Sequence, residues 1–242
     1  MARPKSDSAD PSSVGPLPAN ENKGSGHPTL VAQLAERIEE AILSGALEAG
    51  GRINADVFAE HYGISRIPVR EALRTLEADG WIRSQARQGY FVREKSAPEV
   101  YDLFEARLVL EPAVAALAAM RRTPQDMEKL REIAADARAS AACGDAANLA
   151  VLNQTYHAAI ARAAGNSVLE TLLTTLGKRV RFYTLMANSR RDTAIDEHEL
   201  INEAILERDS ARAAQLARDH IRATRGAPEM PKALRELELP QA

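Results

Sequence analysis

Four things are scarce in this 242-residue chain. Cys143 is its only cysteine, so no disulfide can form within it, and a reducing compartment, the cytoplasm, is expected. Aromatic residues make up 4% of a chain that is 45% hydrophobic. Alanine is abundant instead, which favours close-packed helices over sheets. The longest apolar run, Ala113 to Met120, is far too short to span a bilayer, and the N-terminus lacks an apolar core. Neither a membrane span nor a signal peptide is expected. An excess of either charge is also missing: the net charge is −3. The charge is local instead. From Arg66 to Arg93, six arginines stand against Glu71, Glu77 and Asp79, which makes a basic patch inside a near-neutral chain.

The length fits two modest domains. Residues 1–28 are rich in Pro, Ser, Gly, Asn and Asp and hold almost no large apolar side chain. They are read as a disordered tail. Residues 29–93 read as helix, helix, helix, hairpin, and a short polar link follows. Residues 99–224 then read as six helices with short connections, the pattern of an antiparallel bundle, and residues 225–242 as a C-terminal tail. The expected fold is mainly α: an N-terminal winged helix-turn-helix followed by an all-helical antiparallel bundle.

The most informative stretch lies in the first domain. Ala55 to Tyr62 makes a short helix, and Gly63 sits where a tight turn needs positive φ. Ser65 is placed as an N-cap, and Pro68 falls in the first turn of the next helix, where its missing N–H costs nothing. Val69, Ala72, Leu73 and Leu76 cluster on one side of that helix, and Arg66, Arg70 and Arg74 run beside them at a spacing of four. Two β-prone runs around Gln88-Gly89 follow as a wing, with Arg87 at its tip. Such a helix suits the major groove, where arginine forks onto guanine O6 and N7 or onto phosphate. The candidate DNA-binding residues are Ser65, Arg66, Ile67, Val69, Arg70 and Arg74 from the helix, with Arg87 and Gly89 from the wing.

The run Ser65-Arg66-Ile67-Pro68-Val69-Arg70-Glu71-Ala72-Leu73-Arg74-Thr75-Leu76-Glu77-Ala78-Asp79-Gly80 closely resembles the signature of the GntR family of bacterial transcription regulators. The resemblance implies a winged-helix domain, double-stranded operator DNA as partner, and a C-terminal domain that senses a small molecule. Many members carry Glu-Arg in the helix before the turn, with that arginine on DNA; here Ala55 and Asp56 stand at those positions. The second domain resembles the helical effector domain, called FCD, of the FadR subgroup. The cues are Asp102 to Pro112, His157, Ala164-Gly165-Asn166 and Glu197-His198. A ligand-responsive transcription regulator, acting as a repressor or an activator, is the function so implied. Winged heads that read a two-fold operator require fixed spacing, hence a homodimer.

Three of the five histidines, His157, His198 and His220, fall in the bundle. Asn153 and His157 share one helix face. The twenty-two residues between His198 and His220 suit a helix, a turn and a return. All four side chains can then meet at one level, and imidazoles with an open position suit a divalent transition metal, zinc or nickel. In the FadR subgroup the pattern is Asp-x-x-x-His, His, His; Asn153 replaces the aspartate, so weakened metal binding is expected. Arg107 matches an arginine that points toward the subgroup's ligand pocket and can fork a carboxylate; the other reading is a surface arginine in an ion pair with Glu105 or Glu111. Asn202, one turn after His198, is the second candidate effector-binding residue. A small carboxylate effector is expected. Two other functions remain in view: a metal-dependent hydrolase using the three histidines, and a constitutive DNA-binding protein whose bundle is only structural.

Overall fold

The computed structural model describes residues 10–15, 29–94, 96–184 and 191–227. It divides into two compact units, residues 1–95 and 96–242.

The first unit is built on three helices and a small sheet. Helix α1, Leu30–Ser44, starts at Thr29, whose side chain accepts from the Ala32 N–H, and ends at Gly45 with φ +80°. A two-residue strand β1, Arg52–Ile53, precedes α2, Ala55–Tyr62. Gly63 takes φ +62° and turns the chain into α3, Arg66–Ala78. Strands β2, Ile82–Gln85, and β3, Gly89–Val92, form the wing. The sheet order is β1-β3-β2, all antiparallel, with Arg52 opposite Phe91 and Ile82 opposite Val92. Sequence periodicity does not reveal β1, because two residues cannot show alternation. The core is apolar: Leu34, Ile38, Phe58, Val69, Leu73, Leu76, Ile82 and Val92 are all buried.

The expected tail needs one correction. Pro11–Ser13 form a 3-10 turn capped by Asp10, and Val14 is only 1% exposed. The Tyr62 hydroxyl lies within hydrogen-bond range of the carbonyls of Val14 (3.1 Å) and Gly15 (3.2 Å). One buried valine and these carbonyls dock the segment onto α2, which composition alone does not foresee. The rest of the 1–28 stretch lies outside the described residues, and so do residues 228–242 of the expected C-terminal tail. Ahead of these, Arg225 ends the last helix, Ser210–Arg225, and Ala227 is buried.

The second unit is all helix: α4 (Ala97–Arg121), α5 (Pro124–Cys143), α6 (Ala146–Ala163), α7 (Ser167–Thr184), α8 (Arg191–Leu206) and α9 (Ser210–Arg225). Local chemistry sets the boundaries. Thr123 and Asp126 form a capping box at the start of α5, and Gly144 closes that helix at φ +76°. Asp145 and Asp209 cap α6 and α9. Apolar faces rich in alanine let these helices pack closely around Leu130, Tyr156, Ile201 and Ile205. Three arginines cap helix C-termini from neighbouring elements. Arg122 donates to the carbonyls of Ile205 (2.8 Å) and Leu206, Arg208 to Met120 (2.9 Å), and Arg121 to Ala164 (3.0 Å). Each places positive charge at the negative end of a helix dipole.

Candidate DNA interface and histidine centre

Helix α3 divides its side chains cleanly. Val69, Ala72, Leu73 and Leu76 face the core, whereas Ser65, Arg66, Arg70 and Arg74 are exposed. Val69, taken as a DNA contact from its place in the motif, is 0% exposed and packs in the core. It holds α3 in place and cannot reach a base. Ile67 is 68% exposed, an unusual position for isoleucine, and is free to meet a thymine methyl. Ser65 occupies the N-cap position without a side-chain cap bond. The N-terminal amides of α3 that it leaves uncapped are groups to which a phosphate oxygen can bind. Arg66 Nε lies 3.0 Å from the Asp56 carboxylate at the start of α2.

The wing is tied to this helix. Glu77 accepts from the Ser84 N–H at 2.8 Å, and hydrogen bonding to Ser84 holds its carboxyl below the usual range. Arg87 and Gly89 are exposed, with φ +63° and +102°. A Cβ at Gly89 would meet Arg52 and Ile53 only at ordinary contact distance, 3.7 Å, so the backbone angle makes the demand for glycine. Arg83 lies over the Phe91 ring at 5.5 Å, which stiffens the base of the wing.

The second unit brings together His157 from α6, His198 from α8 and His220 from α9. One nitrogen from each ring lies within 4.8 Å of the others. His198 Nε2 and His220 Nε2 are 3.4 Å apart, close to the edge of about 3.3 Å for two nitrogens on a tetrahedral zinc. His157 Nε2 is buried with no hydrogen-bond partner among the described residues. The opposite nitrogens are engaged: His157 Nδ1 with Glu111 at 3.0 Å, and His220 Nδ1 with Glu197 at 2.7 Å. Carboxylates on Nδ1 favour the tautomer that leaves Nε2 as an acceptor, the arrangement a metal needs. Tyr156 stacks on the His198 ring, with centroids 3.9 Å apart, and its hydroxyl donates to the His198 carbonyl at 3.0 Å.

Burial pushes the His198 ring well below its ordinary value, and the nearby His220, His157 and Arg107 add to this. Burial also lowers His220, although its bond to Glu197 opposes the shift. At Glu111 burial acts upward, but Arg107 and His157 more than reverse it, and the carboxyl stays charged far below the usual range. Both rings are therefore neutral and able to ligate near neutral pH.

Arg107 is 4% exposed, and its guanidinium pairs with Glu111, Nε to Oε1 at 2.5 Å. The arginine is not on the surface, but its expected ion pair is real: it is buried beside the histidines, and Glu111 of its own helix engages its guanidinium. Asn202 is buried, with its Oδ1 unpartnered among the described residues. Asn153 is on α6, one turn before His157, but its side chain is exposed. Sequence reasoning gave Glu111 and Glu197 no role at the centre. Their positions on α4 and α8 carry no local spacing signal, because the pairs form across helices. The cavity among Glu111, Tyr156, His157 and His220 offers about 20 Å³ to solvent, room for one water-sized group.

Comparison with known proteins identifies the family of both units. Residues 30–92 match the family described as "Bacterial regulatory proteins, gntR family", and residues 102–223 match the FCD domain. The chain belongs to the GntR family, in the form that carries an FCD domain behind the DNA-binding head. It is 25% identical over 187 residues to the HTH-type transcriptional regulator YdhC of Bacillus subtilis, covering 76% of this chain and 84% of that one. It is 28% identical over 172 residues to the Nta operon transcriptional regulator of Aminobacter aminovorans, covering 71% and 81%. Among solved structures, Escherichia coli McbR superposes with a TM-score of 0.70 at 23% identity, covering 81% of this chain and 95% of that one. A GntR regulator from Rhodococcus superposes at 0.67 and 20% identity, covering 80% and 94%. The structural likeness concerns the fold. The chain is a transcription regulator, which sets aside the hydrolase reading. No helix among the described residues is long and apolar enough to cross a membrane.

Proposed function

We propose that this regulator binds a two-fold operator as a homodimer in the cytoplasm, acts as a repressor, and is controlled through the histidine centre. The observation that carries this reading is the convergence of three imidazoles, two of them backed by carboxylates, inside an alanine-rich bundle. A bundle that served only as scaffold would leave the unpartnered His157 Nε2 and Asn202 Oδ1 as uncompensated costs. The donor set fits a divalent transition metal, zinc or nickel, held by His157, His198 and His220. Such an ion supplies a positive centre with an open position for an anionic ligand.

Asn153 stays a candidate donor through its carbonyl oxygen, but its exposure favours Glu111 as the acid that serves the centre. The effector proposed is a small carboxylate. Because Glu111 already engages Arg107, the carboxylate presents its head to the histidine centre, with Arg107 and Asn202 beside it. The cavity has room for only a water-sized group, so the body of an organic acid must open the surrounding helices. A ligand that fits one arrangement and not the other shifts their populations, and with them the spacing of the two heads on DNA. Val109, Met120, Val168 and Leu172 leave apolar side chains exposed on α4 and α7, and these support a dimer contact through the bundle.

The test is operator binding by anisotropy, with the upstream DNA of the chain's own gene as probe, across a panel of organic acids with and without zinc. An affinity that changes at least tenfold with one acid supports the reading. An affinity insensitive to every acid and to metal favours a constitutive binder.

A further inference from the structure

The Asp56–Arg66 pair has a consequence for how this chain reads DNA, and the inference rests on the DNA-reading role proposed above. Arg66 is the first residue of α3 and Asp56 lies in the first turn of α2. The carboxylate meets Nε of the guanidinium at 3.0 Å. Both side chains are largely exposed, 66% and 50%, so the pair contributes little or nothing to folding stability. Its geometry matters more than its strength. The Asp56 backbone N–H is capped by the Asn54 side chain, which anchors the residue in the first turn of α2, and its carboxylate lies near the positive end of that helix. A guanidinium held at Nε presents its outer Nη1–Nη2 edge, and two parallel N–H donors there match guanine O6 and N7.

We propose that Asp56 is a positioning residue that determines sequence specificity by holding Arg66 for a forked contact to guanine. Without the carboxylate, Arg66 is a long cation with many rotamers, able to satisfy itself on any phosphate. With it, those rotamers are restricted before binding, and the carboxylate repels the backbone phosphates that would draw the guanidinium aside. Asp56 thus lowers general affinity for DNA while raising the preference for one base.

The experiment selects duplexes from a pool of random-sequence DNA with full-length wild type, Asp56→Ala, Asp56→Glu, Arg66→Ala and Arg70→Ala, and sequences the bound fractions. Wild type is expected to demand a guanine in each half-site, and Arg66→Ala to lose that demand. Asp56→Ala should relax the same position about tenfold, with the other positions kept, general affinity for the unselected pool raised and melting temperature unchanged. Asp56→Glu should restore part of the preference. A guanine preference unchanged in Asp56→Ala, or relaxed equally at every position, overturns the proposal while leaving the DNA-reading role intact. A wild type that selects no sequence overturns both.

Discussion

At the residue scale, the side chains that matter most are those whose neighbours come from another helix. Glu111 pairs with Arg107 on its own helix and with His157 on α6, and Glu197 pairs with His220 on α9. Each carboxylate holds the Nδ1 of an imidazole and so orients its ring. Glu111→Gln is expected to weaken zinc binding by roughly 10–100-fold, the usual cost of losing such a partner. Asn153→Ala should change it less, because Asn153 is exposed. Zinc titration of the chelator-stripped variants separates the two; equal losses would restore Asn153 as a direct ligand. Acid sensitivity follows from the same residues. His198 and His220 titrate below the ordinary value of 6.5 in the folded chain, so on acidification the unfolded chain takes up protons first. Their contribution to stability is complete above that value and is lost as pH falls through the lower folded values. The stripped protein should melt at a lower temperature at about pH 5.5 than at about pH 7.5. A melting temperature that rises on acidification would contradict neutral buried rings.

At the element scale, α3 and the wing show how far the amino-acid sequence carries. The spacing of Val69, Ala72, Leu73 and Leu76 makes the buried face of α3 readable, and the arginine edge follows from it. Val69 belongs to that buried face although it lies within the DNA-binding motif, so periodicity outweighs motif membership at this position. The helix boundaries of the bundle were legible through their caps at Thr123, Asp145 and Asp209. Strand β1 and the docked turn at Pro11–Ser13 were not, since each depends on tertiary partners rather than local pattern. The three histidines were legible as a cluster from helix spacing, whereas the carboxylates behind them required the packed bundle. Leu73 is fully buried in α3. Leu73→Ala should destabilise the DNA-binding unit by about 2–5 kcal/mol. Hydrogen exchange should show faster opening in residues 30–92 with protection in α4–α9 unchanged. Equal loosening of both units would mean that they do not unfold independently.

At the scale of the whole molecule, one unit reads DNA chemistry and the other holds a polar centre in an alanine-rich bundle. The regulator reading requires that the second control the first. His198→Ala should lower metal content and abolish the response to an acid while leaving operator affinity without effector within a few-fold of the parent. Anisotropy with a fixed operator duplex checks it; a variant that keeps the full acid response would move the sensor away from the histidines. Dimerisation belongs to this scale as well. Leu172→Glu places a charge among the exposed apolar side chains of α7. It should shift the chain toward monomer in light scattering and weaken operator binding, and an unchanged dimer would assign the contact to another face. The most direct test of the central claim is a zinc titration of chelator-stripped, full-length protein by calorimetry, run beside His157→Ala. The account predicts saturable binding of one ion per chain in the parent and its loss in the variant. Absence of saturable binding in the parent, or equal binding by both proteins, would contradict a metal centre at His157, His198 and His220.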